Sequence, residues 1–324
     1  MSLRADLGFR TVRANGIDLR IAEMGSGPLV LLCHGWPESW YSWRHQLPAL
    51  AAAGFHAVAP DLRGFGASEA PAPVEAYSLL HHVGDMAALV EALGAGQATI
   101  VGHDWGAPIA WTAALLRPEL FHAVAGLSVP YSPPEQLGVT EKMRRAGVSG
   151  YYMLYFEREG VAEKELEADT ERSLRMFYWS LGGEANAAKP YVAVVPPGGG
   201  LLDTCSDCGE ALPAWLDRDD LAYYTNEYRR AGFRGGLNLY RNVDRNASLL
   251  APWRGQPIEV PSLYIGGTYD PVTTAPAAKR TLQAMPRHLP RLWRSELLDG
   301  CGHWTQQERP EAVNRLLIDF LRAL

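Results

Sequence analysis

The chain has 324 residues, of which 47% are hydrophobic and 20% charged, a composition that excludes a disordered or fibrous protein. Lys and Arg number 30 against 36 Asp and Glu, giving a net charge of −6 without the basic surplus that nucleic-acid binding requires. The longest dense apolar run, 29–33, is far shorter than the ~20 residues that cross a bilayer. Because no apolar segment follows the charged N-terminus, we predict a cytoplasmic protein with no secretory leader, membrane span or nucleic-acid partner.

The first half of the chain alternates predicted strands with predicted helices. A β-hairpin is predicted where residues 9–14 and 17–24 flank Asn15-Gly16, the dipeptide of a type I′ turn. Short apolar runs then predict buried strands over 29–33, 56–60, 98–103 and 122–129. Helical patterns cover 79–93, behind a possible Ser78 cap, and 107–117. This alternation predicts an α/β fold, with a mostly parallel sheet and helices on both faces.

The second half of the chain begins with a long helical stretch. Between about 130 and 240 we predict one long helix over 161–179 and another that starts at the capping box of Asp217 and Asp220. Strand patterns return at 261–267 and 294–300, before a C-terminal amphipathic helix. We therefore predict a helical cap, or lid, inserted into an α/β core. The predicted units are core residues 1–130, cap residues 131–243 and core residues 244–324.

The pentapeptide at 102–106, Gly-His-Asp-Trp-Gly, carries the strongest chemical signal. It lies between a predicted strand and a predicted helix, where two glycines allow a sharp turn that raises the central side chain above the sheet edge. This is the spacing of a nucleophile elbow, with Asp104 where esterases place Ser. The N–H of Trp105 then lies at a helix N-terminus, aimed at a developing oxyanion. Capping alone would explain Asp104 but not the flanking glycines.

A second loop, His34-Gly35-Trp36-Pro37, follows the strand predicted over 29–33. Ligands of open parallel sheets bind beyond the carboxyl ends of the strands. We therefore expect the Trp36 N–H to be the second oxyanion donor. The Trp36-Pro37 bond is a candidate for cis geometry, and His34 is interpreted as holding its turn by hydrogen bonds.

Cys205 and Cys208 form a lone Cys-x-x-Cys in a predicted loop. A structural zinc site needs four ligands, and no second pair accompanies this one. We interpret these two residues as free thiols and predict no metal.

Four segments together resemble the α/β-hydrolase-fold epoxide hydrolases of the soluble type. They are HGWPESWYSWRHQLPAL (34–50), DLRGFGAS (61–68), GHDWGAPIAW (102–111) and CGHWTQQERPEAVN (301–314). The resemblance runs from about residue 27 to the C-terminus. It implies an α/β-hydrolase fold, an Asp–His–Asp triad and two tyrosines supplied by the lid.

By position in these motifs, the resemblance implies Asp104 as nucleophile, His303 as base and Asp270 as the acid that orients the base. The order nucleophile, acid, histidine is that of α/β-hydrolases. Asp244 is an alternative acid. By contrast, His81 and His82 lie on the helix predicted over 79–93 and are expected to be solvated.

The lid tyrosines implied by the resemblance are Tyr152, in segment 150–163, and Tyr240, in segment 237–246. Tyr151 and Tyr155 are alternatives for the first, because they lie one and three residues away.

These residue types suit the opening of an epoxide. A carboxylate is ionised at neutral pH and attacks without a base, whereas a tyrosine stays protonated and can donate to the ring oxygen. His303 would then activate water to hydrolyse the Asp104 ester, with the amides of Trp36 and Trp105 holding the oxyanion. The predicted partners are a small-molecule epoxide and water, with no cofactor, in a monomer or homodimer.

Two other functions remain open at this point. A haloalkane dehalogenase uses the same triad, although its leaving halide needs N–H donors rather than acids. A non-catalytic binding protein of the same fold is the second alternative, but such proteins typically lose triad members, and all three are present here.

Overall fold

The computed structural model describes residues 7–324. Residues 1–6, which hold most of the N-terminus on which the expectation of no leader depends, lie outside this range. Eight strands form one sheet in the order β1-β2-β4-β3-β5-β6-β7-β8. They are β1 (Gly8–Ala14), β2 (Ile17–Met24), β3 (Leu29–Cys33), β4 (His56–Pro60), β5 (Ala98–His103), β6 (Phe121–Leu127), β7 (Ser262–Gly267) and β8 (Leu292–Leu298). Strand β2 is antiparallel to both neighbours, and all pairs from β4 to β8 are parallel.

Fifteen α-helices accompany the sheet in the part of the chain that the structure describes. They are α1 (Gln46–Ala52), α2 (Leu79–Ala92), α3 (Gly106–Leu116), α4 (Val139–Arg145), α5 (Tyr152–Phe156), α6 (Val161–Ala168), α7 (Thr170–Ser180), α8 (Gly183–Ala188), α9 (Arg218–Ala231), α10 (Arg234–Arg241), α11 (Val243–Leu249), α12 (Pro271–Thr274), α13 (Pro276–His288), α14 (Thr305–Glu308) and α15 (Pro310–Arg322). Short 3₁₀ helices lie at Trp40–Trp43, Val74–Tyr77, Leu201–Thr204 and Ala251–Trp253. Among residues 7–324, no helix is both long enough and apolar enough to span a bilayer.

Helices cover both faces of the sheet, as predicted from the alternation of elements. Strand β3 is buried throughout, and its side chains divide between two hydrophobic clusters. Leu31 belongs to the cluster that includes α2 and α3, whereas Leu32 belongs to the cluster that includes α1 and α15. Because successive residues of a strand point to opposite faces, one five-residue apolar run contributes to both halves of the core.

The N-terminal hairpin has the turn that its sequence predicts. Asn15 and Gly16 both adopt positive φ, at 48° and 78°, as a type I′ turn requires. Ala14 pairs with Ile17, so the register is set by this two-residue turn. The hairpin adds β1 and the antiparallel β2 to the sheet and leaves the parallel strands to build the site.

Four details of the sequence prediction were wrong. The strand predicted over 122–129 ends at Leu127, because Ser128 leaves the extended conformation at φ 68°. The helix predicted over 161–179 is two helices, because Asp169 leaves the helical conformation, at φ −148°, and its carboxylate accepts the Arg172 N–H. The last strand runs from Leu292 rather than from residue 294, and it ends at Leu298 before Gly300 turns at φ 65°. His82 is fully buried, since its position on α2 shares the face of Met86, four residues later.

The chain between β6 and β7 contributes helices α4 to α11 and no strand among these described residues, apart from a single bridge between Tyr151 and Val194. Side chains of these helices reach the loop after β3. The Tyr178 hydroxyl of α7 donates to the Pro37 carbonyl, and the Tyr228 hydroxyl of α9 donates to the Glu38 carbonyl. These bonds hold the helices over the carboxyl edge of the parallel strands.

Candidate active site

The turn from β5 to α3 places Asp104 at positive φ, 47°, a conformation uncommon for a residue other than glycine. Gly102 and Gly106 permit this turn because backbone atoms of neighbouring elements occupy the space where a Cβ atom of either residue would lie. A Cβ at Gly102 would lie 1.9 Å from the Gly106 carbonyl oxygen, and a Cβ at Gly106 would lie 2.0 Å from the Cys33 carbonyl oxygen. The two glycines are therefore a steric requirement of the elbow.

Two groups contact the carboxylate of Asp104. The Trp36 N–H donates to Oδ1 at 2.8 Å, and Nε2 of His303 lies 3.6 Å from Oδ2. The Trp36-Pro37 bond is cis, as its sequence allowed. Trp105 directly precedes α3, so its N–H belongs to the first turn, where a helix offers no intrahelical acceptor. The structure thus brings the two expected oxyanion donors to the loop and the elbow that hold Asp104.

His303 lies between two carboxylates. Its Nδ1 is 3.1 Å from Oδ1 of Asp270, on the side opposite the contact with Asp104. Asp270 is fully buried at the start of α12, where its Oδ1 also accepts the Val272 N–H at 2.8 Å. The order Asp104, His303, Asp270 therefore forms a continuous line of three side chains from three loops of one sheet edge.

Ser128 is a fourth member of this line that the sequence analysis missed. It follows β6, is fully buried and has positive φ, 68°. Its hydroxyl donates to Oδ2 of Asp270 at 2.6 Å and lies 3.0 Å from Nδ1 of His303. The sequence analysis placed Ser128 inside the strand predicted over 122–129. A polar residue near the carboxyl end of that predicted strand was the available signal, since that edge holds the other site residues.

The charges of the site fix its protonation. Burial alone would lower the pKa of His303, but the carboxylates of Asp270 and Asp104 outweigh it and hold that pKa well above its usual value. Burial would raise the pKa of Asp104, but the hydrogen bond and charge of His303, with the Trp36 N–H, bring it below the ordinary value. In the free protein the site therefore holds an imidazolium between two carboxylates.

Tyr152 and Tyr240 line the same cavity as Asp104. Their ring centroids are 5.8 Å apart, and the ring of Tyr240 packs edge-on against Trp105 at 5.0 Å. Burial raises the pKa of both phenols well above 10, and the charge of Asp104 adds to the shift. Both side chains therefore remain proton donors at any physiological pH.

The structure separates these residues from two of the three alternatives. The carboxylate of Asp244 accepts hydrogen bonds from the Thr140 hydroxyl and the Glu141 N–H at the start of α4, whereas His303 is bonded to Asp270. The Tyr155 hydroxyl donates to Oε2 of Glu165 at 2.7 Å. Tyr151 does line the cavity and remains close to Tyr152, with ring centroids 4.9 Å apart.

A buried pair beneath the elbow joins three loops of the site. Glu38 and His103 are fully buried, with Nδ1 of His103 2.8 Å from Oε2 of Glu38. Oε2 also accepts the Gly35 N–H, and Nε2 of His103 donates to the His303 carbonyl at 2.7 Å. The loop after β3, the elbow and the loop that holds His303 are thus tied to one another. The sequence analysis missed this pair, although both residues lie inside its motifs.

His34 holds its turn, as its sequence position indicated. Its Nδ1 donates to the Gly35 carbonyl at 2.8 Å and its Nε2 accepts the Leu62 N–H at 3.1 Å. Burial lowers the pKa of His34 to about 4, so the ring is neutral and bonded at both nitrogens. It has no free nitrogen with which to act as a base.

Cys205 and Cys208 are free thiols in the loop that follows the 3₁₀ helix Leu201–Thr204. Burial raises the pKa of Cys205 to about 12, so its thiol is not a reactive thiolate. Across residues 7–324, no group of three or more His, Cys, Asp or Glu side chains is placed to hold a metal ion.

Comparison with known proteins agrees with this geometry. A family model for the alpha/beta hydrolase fold matches residues 28–310. The chain is 43% identical to epoxide hydrolase A of Mycobacterium tuberculosis over 320 residues, covering 97% of each protein. The solved structure of an epoxide hydrolase from an endophytic Streptomyces superposes with a TM-score of 0.94 at 49% identity, over 98% of this chain and 96% of that one. The epoxide hydrolase VrEH1 from Vigna radiata gives a TM-score of 0.93 at 36% identity, over the full length of both.

The fold and the site define an α/β hydrolase with an aspartate at the turn between β5 and α3. Within that class, the chain belongs to the epoxide hydrolases. The fold class and the family inferred from the four sequence motifs are both confirmed.

Proposed function

We propose that this epoxide hydrolase converts epoxides to vicinal diols through a covalent ester on Asp104, with His303 and Asp270 hydrolysing that ester. The proposal rests on the contacts made by the carboxylate of Asp104. Asp104 accepts the Trp36 N–H, lies 3.6 Å from His303 and shares a cavity with Tyr152 and Tyr240. A carboxylate so placed is a nucleophile for a saturated carbon.

In the first step, an Asp104 oxygen attacks one carbon of the ring and the carbon–oxygen bond of the epoxide breaks. The lowered pKa of Asp104 keeps the attacking group ionised. The ring oxygen leaves as an alkoxide and takes a proton from Tyr152 or Tyr240, whose raised pKa values keep them protonated until that charge develops. The product is a hydroxyalkyl ester on Asp104.

The second step follows from the change in charge. Ester formation removes the negative charge of Asp104, one of the two groups that hold the pKa of His303 high. The pKa of His303 then falls, and the neutral ring can take a proton from water while Asp270 steadies the imidazolium that forms. Water adds to the ester carbonyl, the N–H groups of Trp36 and Trp105 stabilise the oxyanion, and the diol leaves.

Residues 131–243 would form the cap over this chemistry, between core residues 1–130 and 244–324. Support comes from the hydrogen bonds of Tyr178 and Tyr228 to the loop after β3. Both proposed proton donors, Tyr152 and Tyr240, belong to this helical segment, whereas Asp104 belongs to the core. The nucleophile and the acids thus approach the ring from different parts of the fold.

The chemistry uses protein groups and water alone, so we propose no metal and no organic cofactor. The partners would be a small-molecule epoxide and water. We also expect a monomer or homodimer in the cytoplasm.

A panel of three substrates tests this function. The purified protein is offered an aryl epoxide, an aliphatic epoxide and a chloroalkane, and both diol and halide are measured. We expect diol from at least one epoxide and no halide, with Asp104→Ala inactive although folded by circular dichroism. Halide release would indicate a dehalogenase instead, and no product from any compound would favour a binding protein.

A further inference from the structure

The cavity at the site is large and its wall carries almost no charge. Its volume is about 890 Å³, near the upper end of the range for drug-sized ligands. Among the described residues that line it, the only ionisable groups other than tyrosines are Asp104 and His303. No Lys, Arg or Glu contributes to the wall, so the space around the reacting ring is built from aromatic, aliphatic and uncharged polar side chains.

This apolar character extends from the floor to the opening. Trp105, Phe177 and Leu201 line the cavity and are all buried. At the rim, Val192 is 62% exposed and Tyr269 is 42% exposed. Exposed apolar side chains at the mouth of an apolar cavity mark a surface that meets an apolar ligand.

The positive charge in the site is already matched. The His303 imidazolium contacts Asp104 on one side and Asp270 on the other, so it has no charge to offer a third carboxylate. Asp104 itself would repel an anion. A substrate carboxylate inside the cavity would therefore lose its hydration without gaining a cation, which is a large cost for a buried charge.

We infer that the substrate of this enzyme is a bulky, neutral, apolar epoxide, and that the cavity rejects an anionic group on the part of the substrate that enters it. This inference rests on the epoxide hydrolase function proposed above. An anionic group is excluded because no Lys or Arg lines the cavity to pair with it, and not because the group is too large.

The exclusion of anionic groups should apply only inside the cavity, because Lys279 and Arg280 lie outside it. They follow Ala278, which lines the cavity, but they do not line it themselves, and both are exposed on α13. A long substrate with a distant carboxylate could leave that group in solvent near them. A test must therefore use a short, rigid substrate whose charge stays inside.

The test compares 4-carboxystyrene oxide with its methyl ester and with the neutral carboxamide. At pH 7 we expect kcat/KM for the ester to exceed that for the carboxylate by at least about 100-fold. The carboxamide, which is polar but uncharged, should stay within about 10-fold of the ester, since an amide costs far less to bury than a charge. This control separates charge from polarity.

The pH dependence of the ratio gives a second, independent readout. A benzoic acid titrates near the range of protein carboxyls, about 4, so the neutral acid becomes rarer by about tenfold per pH unit above that value. If only the neutral form enters, the ester-to-acid ratio of kcat/KM rises about tenfold per unit between pH 5 and pH 7. Changes in the enzyme's own groups cancel in this ratio.

Equal kcat/KM values for acid and ester, or a ratio that is flat from pH 5 to pH 7, would overturn the inference. Failure of the proposed function looks different, because neither the ester nor the carboxamide would then give diol.

Discussion

At the scale of single residues, burial and hydrogen bonding act in opposite directions on the pKa of Asp104, the proposed nucleophile. Burial favours the neutral form of Asp104, but His303 and the Trp36 N–H favour the carboxylate and prevail. The tyrosines have no such partner charge, so burial and the charge of Asp104 both favour the neutral phenol. One cavity therefore holds a carboxylate beside protonated phenols at the same pH, as the proposed ring opening requires.

Removal of the tyrosine hydroxyls should slow ring opening. Tyr152→Phe and Tyr240→Phe should each reduce the single-turnover rate of ester formation by about 10²-fold, as for one lost donor to a developing charge. The double variant should be nearly inactive, because neither donor remains. Stopped-flow tryptophan fluorescence can follow the step, since Trp105 packs against Tyr240.

Tyr155→Phe is the matched control, because its hydroxyl donates to Glu165 rather than into the cavity. It should keep the rate of the unaltered enzyme. Ring opening at that rate in the double variant would assign the acids elsewhere, with Tyr151 the next candidate.

Ser128 should act on hydrolysis rather than on ring opening. Ser128→Ala removes the hydrogen bond to Oδ2 of Asp270, and a bond to a charged group contributes about 1.5–3 kcal/mol. We expect ester hydrolysis to slow by at least about 10-fold. Without this donor, the Asp270 carboxylate should hold the His303 proton more tightly, so the acid limb of the pH profile should move to higher pH.

Rapid-quench mass spectrometry of the ester separates the two steps for Ser128→Ala. Ring opening at the native rate is the internal control. If ring opening and hydrolysis slow equally and the acid limb of the pH profile does not move, Ser128 contributes only to packing.

At the scale of elements, the elbow depends on the close approach of β5, α3 and the loop after β3. Gly102 and Gly106 have no room for a Cβ, because the nearest atoms are backbone oxygens. Backbone cannot rotate away as a side chain can, so the two elements would have to separate. Asp104 can occupy its position at the turn because Gly102 and Gly106 have no side chains to keep the elements apart.

Gly102→Ala should lower both stability and activity. A Cβ at 1.9 Å from the Gly106 carbonyl oxygen forces a backbone shift, and overpacking of this kind costs about 1–3 kcal/mol. We expect a lower thermal midpoint and ring opening reduced by at least about 10-fold, since small displacements of a reacting group are costly.

Gly96→Ala, in the loop before β5, is the control, since nothing lies within 4 Å of its Cβ and its φ is not positive. A Gly102→Ala enzyme as stable and active as Gly96→Ala would contradict the steric account of the elbow.

Much of this architecture could be predicted from the sequence because its signals are local. The apolar run 29–33 and the glycines around Asp104 depend on neighbours in the chain, and both were placed correctly. The break at Asp169 was missed because its side chain competes for the backbone of Arg172, a choice that helical periodicity does not show. Ser128 was missed because its role exists only when the loops after β6, β7 and β8 converge.

At the scale of the whole molecule, residues of the proposed cap and of the proposed core line one cavity. In the mechanism proposed above, one charge change links the two steps. His303 receives charge from Asp104 and Asp270 before attack, and from Asp270 alone afterwards. In the proposed mechanism, the pKa of His303 therefore falls once Asp104 has become an ester.

The pH dependence of the two steps should therefore differ. The pKa of Asp104 lies below its usual value and those of Tyr152 and Tyr240 lie well above 10, so none of the three changes protonation between about pH 5 and pH 9. Single-turnover ring opening should be flat over that range. Hydrolysis needs neutral His303 and should slow as the pH falls, so the ester should accumulate in acid. A ring-opening rate that titrates between about pH 6 and pH 8 would contradict these assignments.

The central claim is that water attacks an ester of Asp104 and never the epoxide itself. A single turnover in ¹⁸O water, with enzyme in excess over epoxide, tests it most directly. The account predicts ¹⁸O in the peptide that contains Asp104 and none in the diol, because the oxygen added to the substrate comes from the original carboxylate. Label in the first-turnover diol, with an unlabelled Asp104 peptide, would show direct attack by water and contradict the covalent mechanism.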